Sequence, residues 1–311
     1  MKTRRSGLTV IEILVVVGII AILVGLLMPA VHMVQTMAKN TKQRAQFTAI
    51  ELGLAAFKHD YGDLPPSSWY DPSVPGRGVQ TYCGAQKLAE ALLGWDLLGF
   101  HPDSAWRSDG LAENGTANSV YLASDTLKQR KARYIEIETA NPFLLGGGAD
   151  SLFPGGVGPL EPRTYVLCDV FGRSERRIQL GQPGSTQVKM VTPGSPILYY
   201  RANPANLRHL PPDIMHTSSA IYDARDNVPI LNLGWLGDAT KAMGARRTHR
   251  LAPDVAETGF DYFYRYIRDD RIPITTARPE GWSVRPDSYI LISAGADGFY
   301  GTDDDITNFA R

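Results

Sequence analysis

The chain has few of the residues that most directly announce chemistry. Its 311 residues hold two cysteines, Cys83 and Cys168, and six histidines scattered at positions 32, 59, 101, 209, 216 and 249. There is no Cys-x-x-Cys and no His-x-x-x-His pair, so the patterns of a cysteine metal site and of a two-histidine helix site are both missing. Gly-x-Ser-x-Gly is absent, which removes the nucleophile-elbow signature. The glycine-rich stretch 145–149 lacks the Lys-Ser/Thr ending of a phosphate loop. The acids at 223–226 and at 269–270 read as solvated surface. No enzyme is expected from this inventory.

Charge of either sign is not in excess, with 32 basic and 32 acidic residues. A nucleic-acid surface would show as a basic excess, so no nucleic-acid partner is expected. The two cysteines leave two readings open. In an extracytoplasmic domain Cys83 and Cys168 could close one long loop as a disulfide; otherwise they are two separate buried thiols.

What the chain does have is one long apolar run at its start. Residues 8–31 carry a single charge, Glu12. Those 24 residues make a helix of about 36 Å, enough to cross a bilayer. Lys2, Arg4 and Arg5 precede the run with no acid among them, which keeps the leader cytoplasmic and sends the rest of the chain to the other side. A cleaved secretory signal has a shorter apolar core and a small-residue cleavage site. This run is longer, holds a glutamate and has no Ala-x-Ala at its end. A simple one-pass anchor that tolerates Glu12 is the other plain reading. An acid inside a membrane costs a few kcal/mol and normally has a partner. If the chain is cut after Gly7, Glu12 lies one helical turn from a new α-amino group on Leu8.

This arrangement resembles the prepilin N-terminus of type IV pilins and type II secretion pseudopilins. The resemblance implies that a membrane-embedded aspartyl peptidase cuts between Gly7 and Leu8 and methylates the new amine of Leu8. Glu12 then matches the family's glutamate, and Pro29 stands where many members have a helix-kinking proline. Leu8 departs from the commoner phenylalanine but stays large and apolar. Losing residues 1–7 removes three cations and leaves 29 basic against 32 acidic residues, a net charge of −3.

The helix is expected to continue past the run. Met33 and Met37 extend one face, and Phe47, Ile50, Leu54 and Phe57 follow at spacings of 3, 4 and 3. Gly62 and Leu64-Pro65-Pro66 form a stop. One helix from about Thr9 to Tyr61, kinked near Pro29, is predicted. Its first half is apolar nearly all round, and its second half is amphipathic. Residues 67–84 read as loop, 87–100 as a short helix with Leu88, Leu92 and Trp95 on one side, and 125–133 as another short helix. Short β-like runs follow at 164–170, 187–191, 196–201 and 289–293. Tyr262, Phe263, Tyr264 and Tyr266 read as core and cover for the sheet.

The expected fold class is therefore α+β: a long N-terminal helix, transmembrane then amphipathic, packed on a small antiparallel sheet, with a large loop-rich insertion. Its parts are a leader at 1–7, a membrane or fibre-core segment at 8–31, an amphipathic helix and stop at 32–66, and an extracytoplasmic globular domain at 67–311. The pseudopilin resemblance covers 1–66 and 286–309, and the region between is larger than small pseudopilins carry.

The C-terminus holds a second constellation. A strand runs into Asp297-Gly298, then Gly301, then Asp303-Asp304-Asp305. Calcium takes six to eight oxygen ligands on a tightly turning chain, and glycines allow the turn. The spacing is not that of an EF-hand. A solvated acidic turn is the alternative. The loop is similar to the calcium loop of major pseudopilins. That likeness implies a structural Ca2+ held by Asp297, Asp304 and Asp305 with the carbonyls of Ala294 and Thr302, and leaves Asp303 to solvent.

The resemblance implies a structural subunit of a type II secretion pseudopilus, anchored by one span in the inner membrane before it enters a fibre. Its partners would be other pseudopilin subunits, the prepilin peptidase, the inner-membrane assembly platform and membrane lipid. A surface pilin for adhesion or DNA uptake, and an anchored extracytoplasmic enzyme, are the other readings.

Overall fold

The computed structural model describes residues 9–70, 81–111, 120–121, 124–148, 150–172, 176–179, 188–213, 216–233, 249–253, 260–276 and 279–309. The fold is α+β, in two compact units, Met1–Lys42 and Gln43–Arg311. One helix, α1 (Val10–Tyr61, 52 residues), contributes to both.

In the first unit α1 is rich in valine and isoleucine, which are poor helix formers in water. A helix is the form that satisfies every backbone group within a single segment, whatever the solvent. The large apolar side chains stand exposed along this length, from Val10 at 81% to Met37 at 58%. By length and composition α1 can cross a membrane. Pro29 lies inside it, and the helix continues through that residue without a break.

From Gln43 onward α1 changes character. Phe47, Ile50, Leu54 and Phe57 are buried at the predicted helical spacing. They pack with Leu88 and Leu92 of α2 (Gly84–Leu93) and with Tyr199 and Leu291 of the sheet, Phe57 in a neighbouring aromatic cluster with Phe100. Two buried glutamines pin the helix against an open strand end. The Gln46 side-chain amide donates to Cys168 O (2.9 Å) and Ala140 O (3.2 Å), and Gln43 Oε1 accepts from Val170 N–H (3.0 Å). The helix stops at Gly62, whose φ of 81° lets its N–H reach Lys58 O at 2.8 Å.

The second helix is shorter than the 87–100 expectation and starts earlier. Gln86 Oε1 accepts the Cys83 N–H at 2.8 Å to cap its start. Gly94 ends it with φ 85°, and a Cβ there would fall 2.2 Å from Gly99 O. Trp95 therefore leaves the helix, and its indole N–H donates to Ser108 O at 3.1 Å. Residues 125–133 do not form an α-helix; a 3-10 turn spans Ser124–Lys128 instead.

The strand pairs among the described residues are antiparallel, and one isolated bridge, Arg208 to Ala220, is parallel. β1 (Pro142–Leu144) pairs with β2 (Tyr165–Leu167), and β3 (Arg176–Gln179) with β4 (Val188–Val191). The main sheet has the order β5 (Leu198–Arg201), β6 (Tyr289–Ser293), β7 (Ile306–Thr307), with Leu198 opposite Ile292 and Ser293 opposite Ile306. Alternation across β5 and β6 divides the core. Tyr199, Tyr289 and Leu291 pack on the α1 side, while Leu198, Tyr200, Ile290 and Ile292 face the other cluster. The short helix α3 (Ile137–Ala140) packs on the α1 side, whereas on the other side the loop-rich region supplies two short helices, α4 (Val228–Leu231) and α5 (Asp261–Tyr266). Phe263, Tyr264 and Tyr266 of α5 are buried in that second cluster.

Candidate functional site

Two regions carry the residues singled out above. At the start of α1, Thr9 and Glu12 form a reciprocal pair. Glu12 Oε2 accepts from Thr9 N–H (2.7 Å) and Thr9 Oγ1 (2.8 Å), and Thr9 Oγ1 accepts from Glu12 N–H (3.3 Å). This is a capping box, which satisfies amides left orphaned at a helix start. It also sets the carboxylate at the positive end of the helix dipole. The sequence carries the signal for this cap, Thr-x-x-Glu before an apolar run. Gly7 and Leu8 lie outside the described residues, so the expected Leu8–Glu12 pair does too.

The second region is the turn between β6 and β7. Its path needs three residues at positive φ: Gly295 (61°), Gly298 (74°) and Gly301 (93°). Gly295 is the tightest, because a Cβ there would sit 2.2 Å from Asp304 O. The acids tie the turn to itself. Asp297 Oδ1 accepts from Phe299 N–H (2.7 Å), and Ala294 O accepts from Gly298 N–H (3.2 Å). Asp304 uses Oδ2 for the Asp297 N–H (2.7 Å) and Oδ1 for the Thr302 hydroxyl (2.6 Å). Asp305 Oδ2 accepts from Gly301 N–H (2.7 Å) and from the Tyr266 hydroxyl. Thr302 O faces the Asp305 N–H at 3.5 Å. Asp303 is exposed.

The donors in this turn are hard oxygens, the kind calcium takes. Their present grouping is another matter. Among the described residues no three His, Cys, Asp or Glu side chains are placed to hold a metal ion.

Tyrosines from the loop-rich region hold the turn from outside. Tyr262 donates to Gly301 O at 2.6 Å, and Tyr266, one helical turn on, donates to Asp305. Their spacing of four, which places them on one helix face, is the sequence signal for this role beyond packing.

A buried charged network also went unread. Glu90 of α2 accepts from Tyr82 OH (2.5 Å), Tyr121 OH (2.9 Å) and the Ser104 hydroxyl, and burial raises its carboxyl. Lys87 donates to Ser68 O (2.6 Å) and Tyr70 O (2.7 Å). Asp226, expected on the surface, is buried and accepts from the Ser67 hydroxyl. Burial, then the nearby Asp223, pushes its carboxyl up to about 8. Together Lys87 and Asp226 strap down residues 67–70 after α1.

Cys83 and Cys168 are separate free thiols, both buried, so the disulfide alternative is not the one formed. Burial pushes Cys83 up to about 12 and raises Cys168 as well, which keeps both protonated and unreactive. No family model, curated protein or solved structure matches the chain.

Proposed function

We propose that the chain is a pilin-like fibre subunit of the kind that builds a type II secretion pseudopilus. The observation that carries this reading is the first half of α1. It is apolar, exposed from Val10 to Met37, and bears one carboxylate, Glu12, set in its first turn. A surface of that kind needs lipid or other helices around it. A carboxylate at its end needs a counter-charge there.

In this reading the precursor spans the cytoplasmic membrane once, with residues 67–311 on the far side. The prepilin peptidase cuts between Gly7 and Leu8. Glu12 then meets the ammonium of Leu8, in its own or an adjacent subunit. Neutralising two charges that are costly in lipid sets the height at which a subunit joins the fibre. The apolar face of α1 supplies the packing once helices lie side by side. Calcium would be held by Asp297, Asp304 and Asp305 with the Ala294 and Thr302 carbonyls, and would tie the C-terminal turn to the sheet.

Intact-mass measurement and N-terminal sequencing, with and without the prepilin peptidase, test the reading. A mature chain beginning at N-methylated Leu8 supports it. An uncut Met1, or a cut near residue 30, sinks it.

A further inference from the structure

Between Glu12 and Glu51 the chain has no acidic residue, and its only lysines and arginine there are Lys39, Lys42 and Arg44. Lys39 and Lys42 are exposed on α1, and neither ammonium has a hydrogen-bond or ion-pair partner among the described residues. Some other cations sit close to acids, as in Arg130–Asp96 and Arg271–Asp269.

What sets these two lysines apart is their position. The exposed apolar side chains of α1 continue through Met33, Val34 and Met37. Val10 to Met37 is about 40 Å of helix, which matches a hydrocarbon core plus the interfacial layer rather than the core alone. Lys39 comes two residues after that limit, and Lys42 three residues later on the neighbouring face position. Helical side chains lean toward the N-terminus, so both ammoniums reach back toward the end of the apolar surface. An anionic group at the boundary of a membrane would lie within reach of both.

We infer that Lys39 and Lys42 form a binding site for the phosphate of an anionic phospholipid, in the leaflet from which residues 43–311 emerge. This rests on the membrane-anchored reading above. The site holds the precursor at a fixed depth while its apolar helix is still in lipid, at the end opposite Glu12.

The test uses the full-length chain in nanodiscs of phosphatidylcholine with spin-labelled phosphatidylglycerol or spin-labelled phosphatidylcholine as the probe. The wild-type chain should select phosphatidylglycerol. The double variant Lys39→Gln/Lys42→Gln should lose on the order of tenfold of that selectivity, and so should the wild type at high salt. Lys39→Arg/Lys42→Arg should restore it, which separates charge from folding. Equal selectivity in wild type and the glutamine variant overturns the inference, as does its displacement by inorganic phosphate or by an acidic peptide. A chain that never enters neutral bilayers overturns the anchored reading as well. A chain that enters them without preference overturns this inference alone.

Discussion

The Tyr266 hydroxyl, at the end of α5, donates to the carboxylate of Asp305, the last acid of the C-terminal turn. The same oxygen accepts the Gly301 N–H at 2.7 Å. One carboxylate thus joins the loop-rich region to the turn that leads into β7. Tyr266→Phe removes the donor and keeps the ring. A hydrogen bond to a charged group that is half-buried is worth about 1–2 kcal/mol. Urea unfolding should show that loss, and hydrogen exchange should show faster opening at Ile306 and Asn308 than in α2. Exchange that rises uniformly would mean that Tyr266 acts only through packing.

The acids of the same turn separate metal from hydrogen bonding. In chelator, Asp304→Ala should lower the melting temperature, because it strips partners from the Asp297 amide and the Thr302 hydroxyl. If calcium is held as proposed, adding it should raise the melting temperature of the wild type and of Asp303→Ala but not of Asp304→Ala. A wild-type chain unmoved by calcium leaves the turn as a hydrogen-bonded acidic loop and nothing more.

The buried Asp226 makes stability fall as pH rises. Its carboxyl goes from an ordinary 3.8 to about 8, first by burial and then by Asp223. Folded chains keep a proton that unfolded chains release, so the contribution is complete below about 4 and is lost as pH climbs through about 8. His209 works in the other direction. Burial holds its ring down at about 4 from an ordinary 6.5, with Nδ1 2.8 Å from Ser283 Oγ. Its contribution is present above 6.5 and is lost as pH falls through about 4. Asp226→Asn should flatten the fall between pH 5 and 8 (roughly the window of the shift) and leave the acid limb in place. A variant whose alkaline limb keeps its wild-type slope would show that Asp226 is ionised in the fold.

Gly94 shows where reading from sequence stops. The apolar residues Leu88, Leu92 and Trp95 continue a helical pattern past it, yet the helix ends there. The reason is the turn that follows: at φ 85° its backbone passes so close to Gly99 O that no Cβ fits. Gly94→Ala should cost more than the ordinary 1 kcal/mol or so of a strained glycine position, read as a shift in urea midpoint. α1 was legible because it spends many residues on one strong period, and β6 because it is an unbroken apolar run bounded by turn residues. β1 and β7 were not, with three and two residues each, and their pairing is set by partners far along the chain. Asp226 looked solvated because a charge in a polar stretch usually is. Only the tertiary placement of Ser67 and Lys87 shows otherwise. The C-terminal acids were legible as a turn but not as a set of internal caps, since spacing does not say which way a carboxylate faces.

Glu12 has two roles that one substitution can separate. As the N3 residue of a capping box it needs only an acceptor oxygen, and glutamine supplies one. As the partner of an ammonium it needs its negative charge. Glu12→Gln should therefore leave the start of α1 intact, with amide exchange at Glu12 and Ile13 near wild type. Thr9→Val should loosen the same turn by about 1 kcal/mol while leaving the carboxylate in place. If the fibre reading is right, Glu12→Gln loses incorporation into fibres and Thr9→Val keeps most of it, scored by shearing and immunodetection. If the two variants fail or succeed together in proportion to their effect on the helix start, Glu12 is a cap, and the charge pair with Leu8 is removed from the mechanism.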